Sequence, residues 1–296
     1  MSANLIIAIC YYVILLVQFM KMWSERKPRE NTVFMVTIPE SVIENDEIKK
    51  VQKSYGNQLI VCCLILAAAP AVVYFSDWVS IKLLLWMALI LLAATVTYIP
   101  YILANKKVKT IKEQNRYMDL EPEVKEIDAV WKHGIFYNNP EDDRLTAEKR
   151  IGIGTCINHA KPMGKFLTVL GVVALIFVFG FGVYSLKLQS TPLSLKYEDG
   201  ILKAGQVGTK YTVEADVIQT AMLLDEMPEA TKVVGTGMDN IFRGVYNVSG
   251  CGNCNVNLNP QNHAFILIQA EDGRYIFSAD TDEETEQIFE ELKNDI

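Results

Sequence analysis

Four long apolar runs, at residues 4–20, 58–76, 79–103 and 166–186, alternate with strongly polar stretches. A helix that crosses a bilayer needs about 20 mostly apolar residues, because hydrocarbon offers no partner to an unpaired backbone N–H or C=O. Each run is of that order. The third carries one charge, Lys82, close enough to its start for the ammonium to snorkel to the interface. The pattern predicts an α-helical membrane protein with four transmembrane helices. The first run is expected to stay as an anchor: no basic residue precedes it, and no small-x-small cleavage site follows it.

The polar stretches have patterns of their own. In 39–56, Val42, Ile43, Ile48, Val51 and Tyr55 form a stripe at helical spacing, which predicts an amphipathic helix leading into the second run. Residues 106–117 should prolong the third run as helix. The segment Asn138-Asn139-Pro140-Glu141-Asp142-Asp143 has the composition of a tight turn, so 134–137 and 144–147 are expected to pair across it. Beyond 187, alternation at 193–197, 201–204 and 208–214 reads as strands; 264–269 and 275–278 read as a hairpin about Glu271-Asp272-Gly273. Thr281 with Glu284 forms a capping box for a last helix, whose apolar face is Ile288, Phe289 and Leu292. The expected plan is a first span at 1–20, a cytoplasmic amphipathic loop at 21–57, and a two-span hairpin at 58–103. A second cytoplasmic loop follows at 104–165, the fourth span at 166–187, and an outward α+β domain at 188–296, a β-barrel or curved sheet closed by the terminal helix.

Charge supplies the sidedness. Lys21, Arg26, Lys27, Arg29, Lys49, Lys50 and Lys53 lie in the first loop, and Lys106, Lys107, Lys109, Lys112 and Arg116 open the second. Basic loops stay on the cytoplasmic side. A multi-pass protein of the cell membrane is therefore expected, with its N-terminus and C-terminal domain extracytoplasmic. The chain has a net charge of −7 although its loops are basic, so the domain after 187 is strongly acidic. That excludes nucleic acid as its partner and disfavours anionic headgroups there. The expected partners are the lipid bilayer and a protein or peptide ligand on the outer side.

Catalytic chemistry is sparse. His133, His159 and His263 are far apart and fit no ligand pair, and the spans hold no acidic residue of the kind that marks proton-coupled transport. Gly152-x-Gly154 lacks a third glycine for a phosphate cradle. No metal, cofactor or catalytic residue is expected. Cys251-Gly252-Asn253-Cys254 leaves three alternatives open: free thiols, a local disulfide, or a redox pair.

The stretch from Trp131 through Gly134, Tyr137, Asn138, Pro140, Asp142 and Arg144 to Arg150, Gly152, Gly154 and Asn158 is similar to the signature of DUF5808, a bacterial membrane family of unknown function. The segment from Phe34 to Glu40 resembles the related DUF1648 group, some of whose members are toxin-immunity proteins. The region from Gly244 to Leu292 resembles bacterial pleckstrin-homology-like domains. These resemblances imply a pleckstrin-homology-like tail and a role in immunity or envelope stress, and they bring no catalytic residue. The expected function is non-enzymatic: an integral membrane protein whose outward domain binds or senses an envelope or peptide ligand. The alternative is a membrane enzyme or transporter with a thiol centre at Cys251 and Cys254.

Overall fold

The computed structural model describes residues 3–29, 31–120, 128–149 and 154–296. It divides into two compact units, Met1–Ser76 with Lys82–Phe179, and Asp77–Ile81 with Gly180–Ile296. Among the described residues four helical stretches are long and apolar enough to cross a membrane: Asn4–Ser24, Asp46–Phe75, Val79–Gln114 and Pro162–Ser190. The third has 36 residues, so its last several turns extend past any bilayer core.

Helix α1 (Ala3–Ser24) leads to a short hairpin, β1 (Thr32–Val33) and β2 (Val36–Thr37), then to α2 (Asp46–Ala68). The amphipathic helix expected from residue 39 starts later. Glu40–Val42 make one 3-10 turn, and α2 begins afresh where the Asn45 side chain accepts from the Glu47 N–H at 2.9 Å. Pro70 tightens the end of the second stretch into 3-10 geometry over Ala69–Phe75. The third run is likewise two helices, α3 (Val79–Thr95) and α4 (Tyr98–Gln114). Pro100 has no N–H to return to residue 96, and its ring crowds that carbonyl, so the break falls one turn before it.

The two loops expected to be separate share one core. Ile48, Val51 and Tyr55 of α2 pack with Tyr101, Ala104 and Val108 of α4. The hairpin β1–β2 inserts between them. Its two turn residues, Phe34 (φ 48°) and Met35 (φ 62°), are left-handed and buried, an unusual pair for a position that favours glycine or asparagine. The Phe34 ring lies 4.9 Å from that of Tyr55 and 5.7 Å from that of Tyr101, both edge-on. The Asn105 amide donates to the Phe34 carbonyl at 2.7 Å. A second hairpin, β3 (Trp131–Lys132) and β4 (Phe136–Tyr137), brings Gly134 to the same place. A Cβ there would stand 2.9 Å from the Tyr101 ring, 3.0 Å from Asn105 and 3.1 Å from Met35. Strands β5 (Thr146–Glu148) and β6 (Thr155–Ile157) form a further hairpin before α5 (Pro162–Ser190).

The second unit is sheet-rich. Strands β7 (Ser194–Glu198), β8 (Ile201–Gln206) and β9 (Thr209–Glu214) form an antiparallel three-stranded sheet. The other sheet holds β10 (Ile218–Leu224), β11 (Ala230–Met238), β12 (Ile241–Val248), β13 (Gly252–Leu258), β14 (Phe265–Ala270) and β15 (Gly273–Phe277), in the order β10-β14-β15-β13-β12-β11. All its pairings are antiparallel except β13 with β15. Helix α6 (Asp282–Lys293), capped by Thr281, buries Phe289 and Leu292 against Leu195 and Leu202 of the small sheet and Ile266 and Phe277 of the large one. The hairpins at Glu198/Ile201 and Ala270/Gly273 lie where alternation and turn residues place them.

Replacing Gly134 with alanine should destabilise the first unit by about 1–3 kcal/mol, since the new methyl meets a packed ring in a left-handed backbone. Thermal unfolding of the full chain in detergent measures it, and an unchanged midpoint would refute this packing.

Candidate recognition site

Most residues singled out between 131 and 158 bond to one another, while Gly134 packs against Tyr101 and Asn105. Asn158 is fully buried. Its side-chain oxygen accepts from the N–H groups of Asn139 (3.0 Å) and Ala160 (3.1 Å), while its amide donates to the carbonyls of Asn139 (2.8 Å) and Asp142 (3.2 Å). Asp142 takes a two-point contact from Arg144, at 3.0 and 2.9 Å, and the Tyr137 hydroxyl donates to it at 2.7 Å. Hydrogen bonds from Arg144 and then Tyr137 hold the Asp142 carboxyl well below the usual carboxylate range. Trp131 and Tyr137 pack 5.1 Å apart, Pro140 lends its carbonyl to Lys161, and the Asn138 N–H donates to Val130. Gly154 takes φ +104° with open space around it. Arg150 and Gly152 lie outside the described residues. The expected pairing of 134–137 with 144–147 does not form: β4 pairs with β3 and β5 with β6. The segment around Asn158 bridges the two stretches instead, its N–H donating to the Leu145 carbonyl at 2.8 Å and the His159 N–H to the Tyr137 carbonyl at 2.9 Å. This loop is a structural knot.

A different feature offers itself to a partner. Strand β11 is one of the two edges of the six-stranded sheet, β10 being the other, and is exposed along most of its length. A bulge between Lys232 and Val234 leaves Val233 and Val234 both outward, 58% and 64% exposed. One step on, Gly235 (φ +140°) faces Gly244 (φ +121°), and a Cβ on either would overlap the backbone of the other strand. The strands approach closely there, and the Tyr246 hydroxyl reaches over Gly237 to the Thr236 carbonyl at 2.7 Å.

The far end of this hairpin is tied to helix ends. At its two-residue tip Asn240 donates to the Gln189 carbonyl, 2.8 Å away in the last turn of α5. The Gln189 side-chain oxygen in turn accepts from the hydroxyl (2.5 Å) and N–H (3.1 Å) of Ser80 in the first turn of α3. Arg243 donates to the Gln206 carbonyl at 3.1 Å, and the Gln206 amide donates to the carbonyls of Leu188 and Thr191. Behind this junction Asn257, on β13 opposite Arg243, is fully buried, and neither of its amide atoms has a partner among the described residues. The side-chain oxygens of Gln206 and Asn240 are in the same condition.

Both thiols of Cys251 and Cys254 are free. Cys254 is buried among Tyr246, Val256, Leu258 and Phe265, and Cys251, in the preceding turn, packs against the same cluster. Burial, reinforced by Cys251, pushes the Cys254 thiol up to about 11, against the pull of Arg274. A redox nucleophile needs the reverse, an exposed thiol with a lowered pKa. No group of three or more His, Cys, Asp or Glu side chains among the described residues is placed to hold a metal.

No protein-family model, curated protein or solved structure matches this chain, so its function is argued from geometry and charge. The β11–β12 hairpin was missed by the sequence reading, although Asp239-Asn240 between two apolar stretches is a turn signal. Glycines at 235, 237 and 244 obscured the strand alternation.

Cys254 in the native protein should react with iodoacetamide at pH 8 roughly 100-fold more slowly than an unperturbed thiol, and at the ordinary rate after unfolding. A free thiol releases its proton near about 8.5 but folded Cys254 holds it to about 11, so its share of stability is full below that lower pH and lost as pH rises through the upper one. Mass mapping of the alkylated site checks the rate, and fast labelling in the folded state would contradict the burial. Asn158→Ala should lower stability by about 2–3 kcal/mol by orphaning several backbone groups at once, read from the unfolding midpoint.

Proposed function

We propose that the chain is a non-enzymatic integral membrane protein, with its N-terminus and C-terminal domain extracytoplasmic, and that this domain captures an extended peptide or protein segment. The observation that carries the reading is the free edge of β11. An extended segment can add to it as another strand, its backbone supplying the hydrogen bonds and Val233 and Val234 the apolar contacts. The acidic surface of the domain favours a basic segment and speeds its encounter.

The same hairpin that would take the ligand bonds through Asn240 to the end of α5, and through Gln189 to the start of α3. Strand addition would stiffen it and bias those bonds, which makes the protein a sensor as well as a binder. The unspent hydrogen-bonding groups of Asn257, Gln206 and Asn240 leave this junction room for a second arrangement. A pleckstrin-homology-like fold and a role in toxin immunity or envelope stress are what the family resemblance adds. A redox enzyme at Cys251 and Cys254 is the weaker reading, because burial holds the Cys254 thiol protonated.

Two experiments test this. Purified full chain should bind a fluorescent alternating Lys-Val octapeptide, and Val233→Lys with Val234→Lys should weaken binding at least about tenfold at an unchanged unfolding midpoint, since charge on an edge strand opposes pairing. Equal binding by the variant would refute edge capture. For topology, an impermeant thiol reagent applied to intact cells should label a cysteine placed at Asp77 and leave one placed at Asn115 untouched. The opposite pattern would invert the protein.

A further inference from the structure

We propose that α4 and the β3–β4 hairpin form a cleft for one anionic phospholipid, with an acyl chain in an apolar half and the phosphate in a basic half. The apolar half is a cavity of about 380 Å³ at the break between α3 and α4. Ala94, Tyr98 and Ile102 form one wall, Ile135 and Phe136 of the hairpin form the other, and Thr95 and Lys149 are the polar members of a mostly apolar lining. The basic half, about 370 Å³, lies farther along α4. Lys106 and Lys109 project into it from the helix, and Lys132 and His133 from the hairpin; Asp128 is its one acid. Trp131 lines both cavities, so the two halves adjoin across a single indole.

This order of chemistry follows the helix. From Tyr98 to Lys109 α4 rises roughly 16 Å at the α-helical rise per residue, passing from apolar to cationic lining. Ile99 and Leu103, on the same turns as the apolar half, are 52% and 44% exposed. A bilayer would cover them, which places the basic half at headgroup depth. Lys106, Lys109 and Lys132 make no ion pair among the described residues, so their charge is available to a ligand. An acidic soluble peptide would match the lysines but leave the apolar half empty. A phospholipid with a net negative headgroup fills both. Gly134 keeps the hairpin close enough to α4 for the two walls to face each other.

The inference rests on the four helices crossing a bilayer and is independent of peptide capture by the C-terminal domain. The test uses the full chain in nanodiscs of phosphatidylcholine with one-fifth phosphatidylglycerol, then release into mild detergent and native mass spectrometry. One phosphatidylglycerol should stay bound to the wild type. Lys106→Gln, Lys109→Gln and Lys132→Gln together should weaken its retention roughly 100-fold, at about fivefold per charge near an anionic surface. Ala94→Phe, which fills the apolar half and leaves every lysine in place, should also release it. Millimolar inorganic phosphate should not displace the lipid from the wild type. Equal retention by wild type and both variants, at matched unfolding midpoints, would overturn the cleft. Displacement by phosphate alone would show a simple anion site and overturn it too. A chain that fails to enter nanodiscs would overturn the membrane reading together with the cleft.

Discussion

A buried turn holds the first unit together. Phe34 and Met35 sit in left-handed backbone, which costs roughly 1–2 kcal/mol for each residue that carries a Cβ. Burying a phenylalanine or methionine side chain returns about 1.5–3 kcal/mol, enough to offset the strain. The edge-on rings of Phe34, Tyr55 and Tyr101 and the Asn105 bond to the Phe34 carbonyl then hold the turn in one place. Gly134 docks against this cluster because it has no side chain. Two loops distant in sequence thereby become one body. The geometry of α4, and of both cavities along it, depends on that contact.

The second unit meets a different constraint. Its strands bury apolar residues on both faces of the large sheet, one cluster beneath α6 and the small sheet, the other around Tyr246, Cys254 and Phe265. Strand β11 touches the second cluster through Ala230 at its start and is exposed along most of the rest. An edge strand held only by its neighbour is the part of a sheet most open to a partner. Here its hairpin tip is bonded to helix ends by the amide groups of Asn240 and Gln189, not by apolar packing. Hydrogen bonds of this sort are directional and each is worth only about 0.5–1.5 kcal/mol net, so the tip is held lightly.

Charge divides the labour between the units. Lysines without ion partners among the described residues gather at Lys106, Lys109 and Lys132 in the first unit, while the chain after 187 carries the excess of acid. The first composition suits an anionic membrane surface and the second repels it.

Much of this was legible in the chain. The four apolar stretches follow from run length, the terminal helix from its capping box, and four hairpin strands of the C-terminal domain from alternation about Gly200 and Gly273. These are local properties, set by backbone hydrogen bonding and by which face of an element is apolar. The signature loop was legible as a turn but not as a knot, since Asn158 reaches back across the chain to bind Asn139 and Asp142. The joining of two loops in one core and the left-handed Phe34-Met35 turn depended on contacts between distant segments. So did the exposure of β11, because whether a strand lies at an edge is decided by the order of all six strands. Local pattern determines what an element is, and only packing across the chain determines which of its groups are left to act.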